Sequence, residues 1–118
     1  MLLALDFFEQ KKIVHRDIKP DNILIKSIQD SSDYEIRVAD LGLAVFNKNG
    51  FLTQKCGTPG FVAPELFSPG GYSYKADVFS LGCVFFSLVT GCYLFGGVTY
   101  DEVMRANICC ELEHIRMP

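Results

Sequence analysis

Residues 15–22 read His-Arg-Asp-Ile-Lys-Pro-Asp-Asn (HRDIKPDN), and the apolar pairs Ile13-Val14 and Ile23-Leu24 flank them directly. Such flanks anchor a segment to a core, whereas His15, Arg16, Asp17, Lys19, Asp21 and Asn22 are expensive to bury without partners. Pro20 removes a backbone donor and restricts Lys19, so the segment is a fixed loop and not a regular helix. Asp17, Lys19 and Asn22 can therefore be held around one small volume as a carboxylate, an ammonium and an amide.

Outward from this loop the local patterns are regular. MLLALDFFEQKK (1–12) carries Leu2, Leu5 and Phe8 at helical spacing, with Lys11 and Lys12 as cations near the C-terminal end. NILIK (22–26) and EIRVAD (35–40) are β-branched runs around SIQDSSDY (27–34), which predicts a two-stranded hairpin. The acidic stretch 30–33 within that turn reads as a solvated loop. Asp40 ends the second strand, where DLG turns sharply through Gly42. A hairpin would bring Asp40 near Asn22, and a carboxylate beside an amide oxygen is a hard-oxygen pair suited to Mg2+.

Residues 42–69 are rich in Gly, Pro, Asn and Thr without a sustained period, and loops of that length in compact domains are usually functional. A second helix is expected over 75–90, stopping at Gly91. Its apolar residues recur nearly all round, the pattern of a central buried helix. In TYDEVMRANICC (99–110), Thr99 followed by Glu102 forms a capping box for a third helix.

The bulk properties narrow the function. The chain has 118 residues, 49% hydrophobic and 21% charged, which fits one domain with a real core and argues against disorder. The net charge of −3 and the lack of a Lys/Arg run argue against nucleic acid as a partner. The longest apolar-rich stretch, 78–89, is broken by Ser80, Gly82 and Ser87 and falls short of the roughly 20 residues of a membrane span. MLLAL lacks the basic start and cleavage site of a signal peptide. The five cysteines (Cys56, Cys83, Cys92, Cys109, Cys110) have no zinc-site spacing and read as reduced thiols, small packing residues of a cytoplasmic or nuclear protein. Cys109 and Cys110 in particular read as helix packing.

Four ordered motifs now stand together: HRDIKPDN (15–22), DLG (40–42), GTPGFVAPE (57–65) and DVFSLG (77–82). In this order and spacing they resemble the C-terminal lobe of a eukaryotic protein kinase of the serine/threonine type. The stretch CGTPGFVAPE (56–65) is most similar to calcium/calmodulin-type kinases. The resemblance implies an α+β, mainly α-helical fold with a short β-hairpin. Residues 1–118 would be a partial kinase domain: catalytic loop, metal-binding DLG, activation segment, central helix and the start of the following helices. It also implies ATP-dependent phosphoryl transfer to Ser or Thr hydroxyls of protein substrates, with ATP and Mg2+ as cofactors.

The same resemblance implies roles residue by residue. Asp17 would be the catalytic base and Lys19 would balance charge on the transferring phosphate. Asn22 and Asp40 would hold Mg2+, and Leu24 would lie beneath the adenine site, with Val84 and Leu88 in matching apolar positions. Thr58 would hydrogen-bond into the Asp17–Lys19 pair and shape the substrate platform. His15 and Asp77 would brace the catalytic loop, with Asp77 accepting its backbone N–H groups. Arg16 implies a pocket for a phosphorylated activation-segment residue, and Thr53 is the candidate phosphosite, with an upstream kinase or regulatory domain as partner. The related kinases carry the phosphorylated Thr at the position of Gln54.

Departures are also visible. Leu41 stands for the usual Phe and is expected to fill its packing role, and Phe79 stands for the usual Trp. Glu65 normally pairs with a downstream Arg, for which Arg105 and Arg116 are candidates by charge alone. A buried, unpaired Glu65 would be costly. No glycine-rich loop and no strand lysine for the phosphates occur within the 118 residues, so the N-terminal lobe is absent from the expected fold and the isolated chain is expected to be inactive. A polar turn is the plain alternative for HRDIKPDN taken alone. The competing functions are a kinase-like non-catalytic remnant or protein-binding module, and a small-molecule phosphotransferase, against which GTPGFVAPE argues.

Overall fold

The computed structural model describes residues 1–28 and 32–112. Asp30 of the acidic stretch and Arg116 therefore lie outside the described residues.

Helix α1 (Leu2–Gln10) opens the chain and buries Leu5 on one side. It ends one residue before Lys11, which takes the C-cap position, so the two lysines lie just beyond the helix. Strand β1 (Ile13–Val14) follows, and a single 3-10 turn over Pro20–Asn22 closes the polar loop. The expected hairpin forms from β2 (Ile23–Ser27) and β3 (Tyr34–Val38), antiparallel from Ile23 opposite Val38 to Ser27 opposite Tyr34. Ile23 and Val38 pack against the core. Strand β4 (Val45–Phe46) returns to pair antiparallel with β1, and these two short sheets bracket the polar loop.

The segment 42–69 is largely irregular, with β4 and a 3-10 turn over Pro64–Phe67 as its ordered pieces. It is tied down by a mutual backbone pair between Leu52 and Tyr72, 2.8 and 2.9 Å. Gly71 permits this approach, because its φ is +76° and a Cβ there would lie 2.6 Å from the Leu52 carbonyl oxygen.

Helix α2 (Lys75–Thr90) has the expected bounds and stops at Gly91, whose φ of 71° is left-handed. Its burial differs from the expectation of a helix buried all round. Ala76, Asp77, Ser80, Cys83 and Val84 form one buried stripe, whereas Phe85 is 67% and Leu88 76% exposed. The physical reason is that the described residues pack on one side of α2 only. The other side borders an apolar groove of about 780 Å3, shared with α1 and the β2–β3 hairpin. Phe79 stacks on Phe95 with ring centroids 6.1 Å apart, which supplies aromatic packing at the position read from DVFSLG.

Helix α3 (Tyr100–Cys109) carries the capping box in full: Thr99 Oγ1 accepts from the Glu102 N–H, and the Glu102 carboxylate accepts from the Thr99 N–H. Two apolar clusters result among the described residues. One joins Leu5, Ile18, Phe61, Cys83, Val84 and Phe95. The other joins Val14, Val62, Ala63, Leu66, Tyr72 and Ala76. The polar loop lies between them, since Val14 and Ile18 belong to different clusters.

The cysteines divide. Burial pushes the Cys83 thiol up to about 12, so it is an inert packing group. Cys92, Cys109 and Cys110 are exposed free thiols, which corrects the expectation of packing for all three; Cys110 is already the left-handed C-cap of α3. Among the described residues no helix is long and apolar enough to cross a membrane.

The capping box makes a simple stability test. Thr99→Ala removes one partner of two reciprocal bonds and is expected to lower the unfolding free energy by about 1 kcal/mol, read from the urea midpoint. An unchanged midpoint would show that α3 does not depend on its cap.

Candidate active site

The polar loop leaves β1 at Val14 and has no strand partner of its own. Its support comes from Asp77 in the first turn of α2: Oδ2 accepts from the His15 N–H at 2.7 Å and Oδ1 from the Arg16 N–H at 2.8 Å. Burial pushes the Asp77 carboxyl up, and the two N–H bonds pull it back part of the way. His15 is fully buried. Its Nε2 lies 3.1 Å from the Ala39 carbonyl oxygen, and Nδ1 accepts from the Asp17 N–H at 3.3 Å, which fits a neutral ring with its proton on Nε2.

These contacts aim Asp17 at a ring of donors. Thr58 donates to Oδ1 at 2.6 Å, and Lys19 Nζ lies 2.9 Å from Oδ2. Asn22 Nδ2 donates to Oδ2 at 3.2 Å and to the Asp17 carbonyl at 2.8 Å. Lys19 also donates to Thr58 Oγ1 at 2.9 Å, which closes the triangle. Burial alone would raise the Asp17 carboxyl; the bonds from Thr58, Lys19 and Asn22, with the Lys19 charge, outweigh it and hold the group below the usual carboxylate range.

The hairpin returns as expected: the Ala39 N–H donates to the Asn22 carbonyl at 2.8 Å, so Asp40 follows immediately beside Asn22. The turn itself is made differently from the sequence reading. Asp40, with φ of 59°, takes the left-handed conformation, and Gly42 does not have positive φ. The Gly42 N–H donates to Asp40 Oδ1 at 3.0 Å, and a Cβ on Gly42 would stand 2.9 Å from that oxygen, a contact the exposed Asp40 side chain can relieve by turning. Arg16 is likewise left-handed at φ 69°, so two strained residues flank the Asp17 cluster. Leu41 is exposed, which corrects the expectation that it fills a packing role.

As donors, Asn22 and Asp40 suit a hard cation. The Asn22 nitrogen is committed to Asp17, which leaves its amide oxygen as the available atom, and Asp40 is an exposed carboxylate. Two such ligands leave positions for water and phosphate oxygens, the arrangement Mg2+ prefers.

Arg16 is only 7% exposed. Its Nε donates to the Leu43 carbonyl at 2.7 Å, and Nη1 donates to Gln54 Oε1 at 3.0 Å and to the Tyr72 hydroxyl at 3.2 Å. Tyr72 in turn donates to the Gln54 carbonyl at 2.6 Å. Thr53 is exposed beside this cluster, and Leu24 is exposed on the hairpin. Val84 is buried in the core, but Leu88 is exposed. Glu65 is half-buried and not fully buried, and its carboxylate has no partner among the described residues. Arg105 does not serve it, because that side chain lies 3.7 Å from Glu111.

Three contributors escaped the sequence reading: Tyr72, Gly57 and Asn107. A Cβ on Gly57 would lie 3.0 Å from the Arg16 carbonyl oxygen, at φ of +110°. Asn107 is fully buried in α3 and bonds the backbone of Gly60 and Val62. A polar residue on the buried side of α3, beside Ala106, was the signal available for it.

The Protein kinase domain family model matches residues 1–117. A probable serine/threonine-protein kinase 2 of Plasmodium falciparum is 34% identical over 112 residues, covering 95% of this chain and 22% of the relative. Calcium/calmodulin-dependent protein kinase type 1 of Macrobrachium nipponense is 37% identical over 102 residues, 86% of this chain and 28% of the relative. An inactive serine/threonine-protein kinase PLK5 of Mus musculus is 34% identical over 107 residues, 89% of this chain and 17% of the relative. The chain thus spans under a third of the length of each of these three relatives.

The Asp17 cluster gives a pH test. A folded-state value below the unfolded one means that ionised Asp17 stabilises the fold above the ordinary carboxylate range, and that this contribution fades as pH falls through the lowered value. Thr58→Ala removes a lowering bond and leaves the burial, so the Asp17 titration should move upward, read by NMR at the carboxyl carbon. A midpoint that stays in place would mean that Thr58 does not hold the charge.

Proposed function

The chain belongs to the protein kinase family, and on that premise we propose that residues 1–118 are the C-terminal-lobe part of a serine/threonine protein kinase domain, transferring the γ-phosphate of ATP to protein hydroxyls. The observation that carries this reading is the Asp17 carboxylate, oriented by Thr58, Lys19 and Asn22. A carboxylate held below its ordinary range is a weak base, unable to deprotonate an alcohol in advance. It suits a loose phosphoryl-transfer transition state, in which the hydroxyl gives up its proton late.

Asp17 orients the acceptor hydroxyl and takes its proton on a carboxylate lone pair not used by Thr58 or Lys19. Lys19 has spent two of its three N–H bonds on Asp17 and Thr58, and the third meets the transferring phosphate. Asn22 and Asp40 would hold Mg2+, the first offering its amide oxygen and the second its carboxylate. The cation, when bound, neutralises charge on the ATP phosphates. Leu24 offers an apolar surface to the adenine. His15 and Asp77 fix the loop, and Arg16 fixes the segment around Gln54. The partners are a protein bearing Ser or Thr and, for Thr53, an upstream kinase.

The 118 residues contain no glycine-rich loop of the kind that covers the ATP phosphates. The protein in its natural full length should phosphorylate a Ser/Thr acceptor with ATP and Mg2+, and residues 1–118 alone should show little or no transfer. In the full-length protein, Asp17→Asn is expected to lower kcat by about 10^2–10^4-fold with the fold intact. A variant that keeps the parent rate would remove Asp17 from the role of base. Phosphorylation at Thr53, motivated by the neighbouring Arg16 pocket, should appear by mass spectrometry of the active protein; unmodified Thr53 in fully active protein contradicts it.

A further inference from the structure

We propose that Asn107 is a positioning residue for the protein substrate, fixing the 58–62 turn and thereby where an acceptor hydroxyl meets Asp17. This rests on the phosphoryl-transfer reading above. Thr58, Gly60 and Val62 belong to one tight turn, in which the N–H groups of Phe61 and Val62 both donate to the Thr58 carbonyl at 3.1 and 3.2 Å. That pattern uses neither the Gly60 N–H nor the Val62 C=O. Asn107 satisfies both: its Oδ1 accepts from the Gly60 N–H at 2.9 Å, and its Nδ2 donates to the Val62 carbonyl at 2.7 Å.

One planar amide thus matches a donor and an acceptor two residues apart. The side chain is fully buried, so water cannot substitute for either bond. An apolar residue of similar volume would fill the same space between α3 and the turn. The amide adds direction, because both bonds are made in one orientation of the turn.

The far edge of the same turn is tied to the catalytic loop. Thr58 Oγ1 donates to Asp17 and accepts from Lys19, and Gly57 lies against the Arg16 carbonyl. The turn is therefore a bridge with Asp17 at one abutment and Asn107 at the other. Displacing the α3 side shifts the backbone next to the reacting carboxylate. The surface of that turn is where a protein chain must lie if its hydroxyl is to reach Asp17. The expected substrate class is an extended Ser- or Thr-bearing segment resting on the turn, and Asn107 acts on it through backbone position without touching it.

The test uses the natural full-length protein with dephosphorylated casein as acceptor, comparing the parent with Asn107→Leu. The kcat/KM for casein should fall about tenfold, while the KM for ATP stays within about twofold. An unchanged kcat/KM for casein with a lowered melting temperature would assign Asn107 to stability alone and overturn the proposal. If the parent transfers no phosphate to casein, the phosphoryl-transfer reading fails by itself. Hydrogen exchange at the Gly60 amide of the unmodified protein then decides about Asn107, and also decides if the variant does not fold. Slow exchange that casein slows further is expected, and exchange as fast as that of exposed loop amides overturns the proposal.

Discussion

The carboxylate of Asp77 is the constraint from which the site follows. The loop that begins at His15 has left β1 and has no ladder to satisfy its N–H groups. Asp77 accepts two of them at 2.7 and 2.8 Å from the first turn of α2. A carboxylate is favoured there by the helix N-terminus, which partly offsets the cost of its burial. The two bonds hold Arg16 in a left-handed conformation that an L-residue adopts only at a cost. That conformation reverses the chain, so that His15 points inward to Ala39 while Asp17 points outward to Thr58 and Lys19. One buried side chain thus joins α2, β1, the end of β3 and the polar loop.

Asp17 shows how local charge and long-range packing divide the work. Lys19 and Asn22 come from the same loop, two and five residues away, and supply a charge and an amide. Thr58 comes from 41 residues away and makes the shortest of the bonds, 2.6 Å. A hydroxyl there can donate to the carboxylate and still accept from Lys19, a dual role that no apolar or purely donating side chain fills. The electrostatic state of Asp17 therefore depends on how the 58–62 turn is seated, and that seating is controlled from the opposite side by α3.

Features decided within a few residues were legible in the sequence. The capping box of Thr99 and Glu102, the stop at Gly91 and the pairing of the 22–26 and 35–40 runs as a hairpin each depend on neighbouring or facing residues alone. Burial was less legible, because it depends on what packs from elsewhere: α2 is apolar all round, yet Phe85 and Leu88 face an open groove. Leu41 and Cys109 failed for the same reason. In the site, the four-motif resemblance singled out Asp17, Lys19, Asn22, Asp40 and Thr58, and the fold gathers the first three with Thr58 and sets Asp40 beside Asn22. Asn107 and Tyr72 lie outside those motifs. Their importance comes from backbone groups that the irregular segment leaves unpaired, which no spacing rule reveals.

The buried cation at Arg16 deepens the same point. Its guanidinium meets three neutral acceptors, from Leu43, Gln54 and Tyr72, and no carboxylate pairs with it among the described residues. A neutral acceptor gives a weaker bond than an anion would, but it satisfies the desolvated N–H groups without any modification. Tyr72 then donates to the Gln54 backbone, so the same contact that quiets the charge also fixes the segment carrying it. An anion arriving at exposed Thr53 would meet a cation already bonded. Its effect is the difference between an ionic and a neutral partner, and the neutral partner already holds the segment in its ordered form. The polar loop and the segment that faces it are thus organised by hydrogen bonds within the chain itself, with Asp77 on one side of Arg16 and Gln54 on the other.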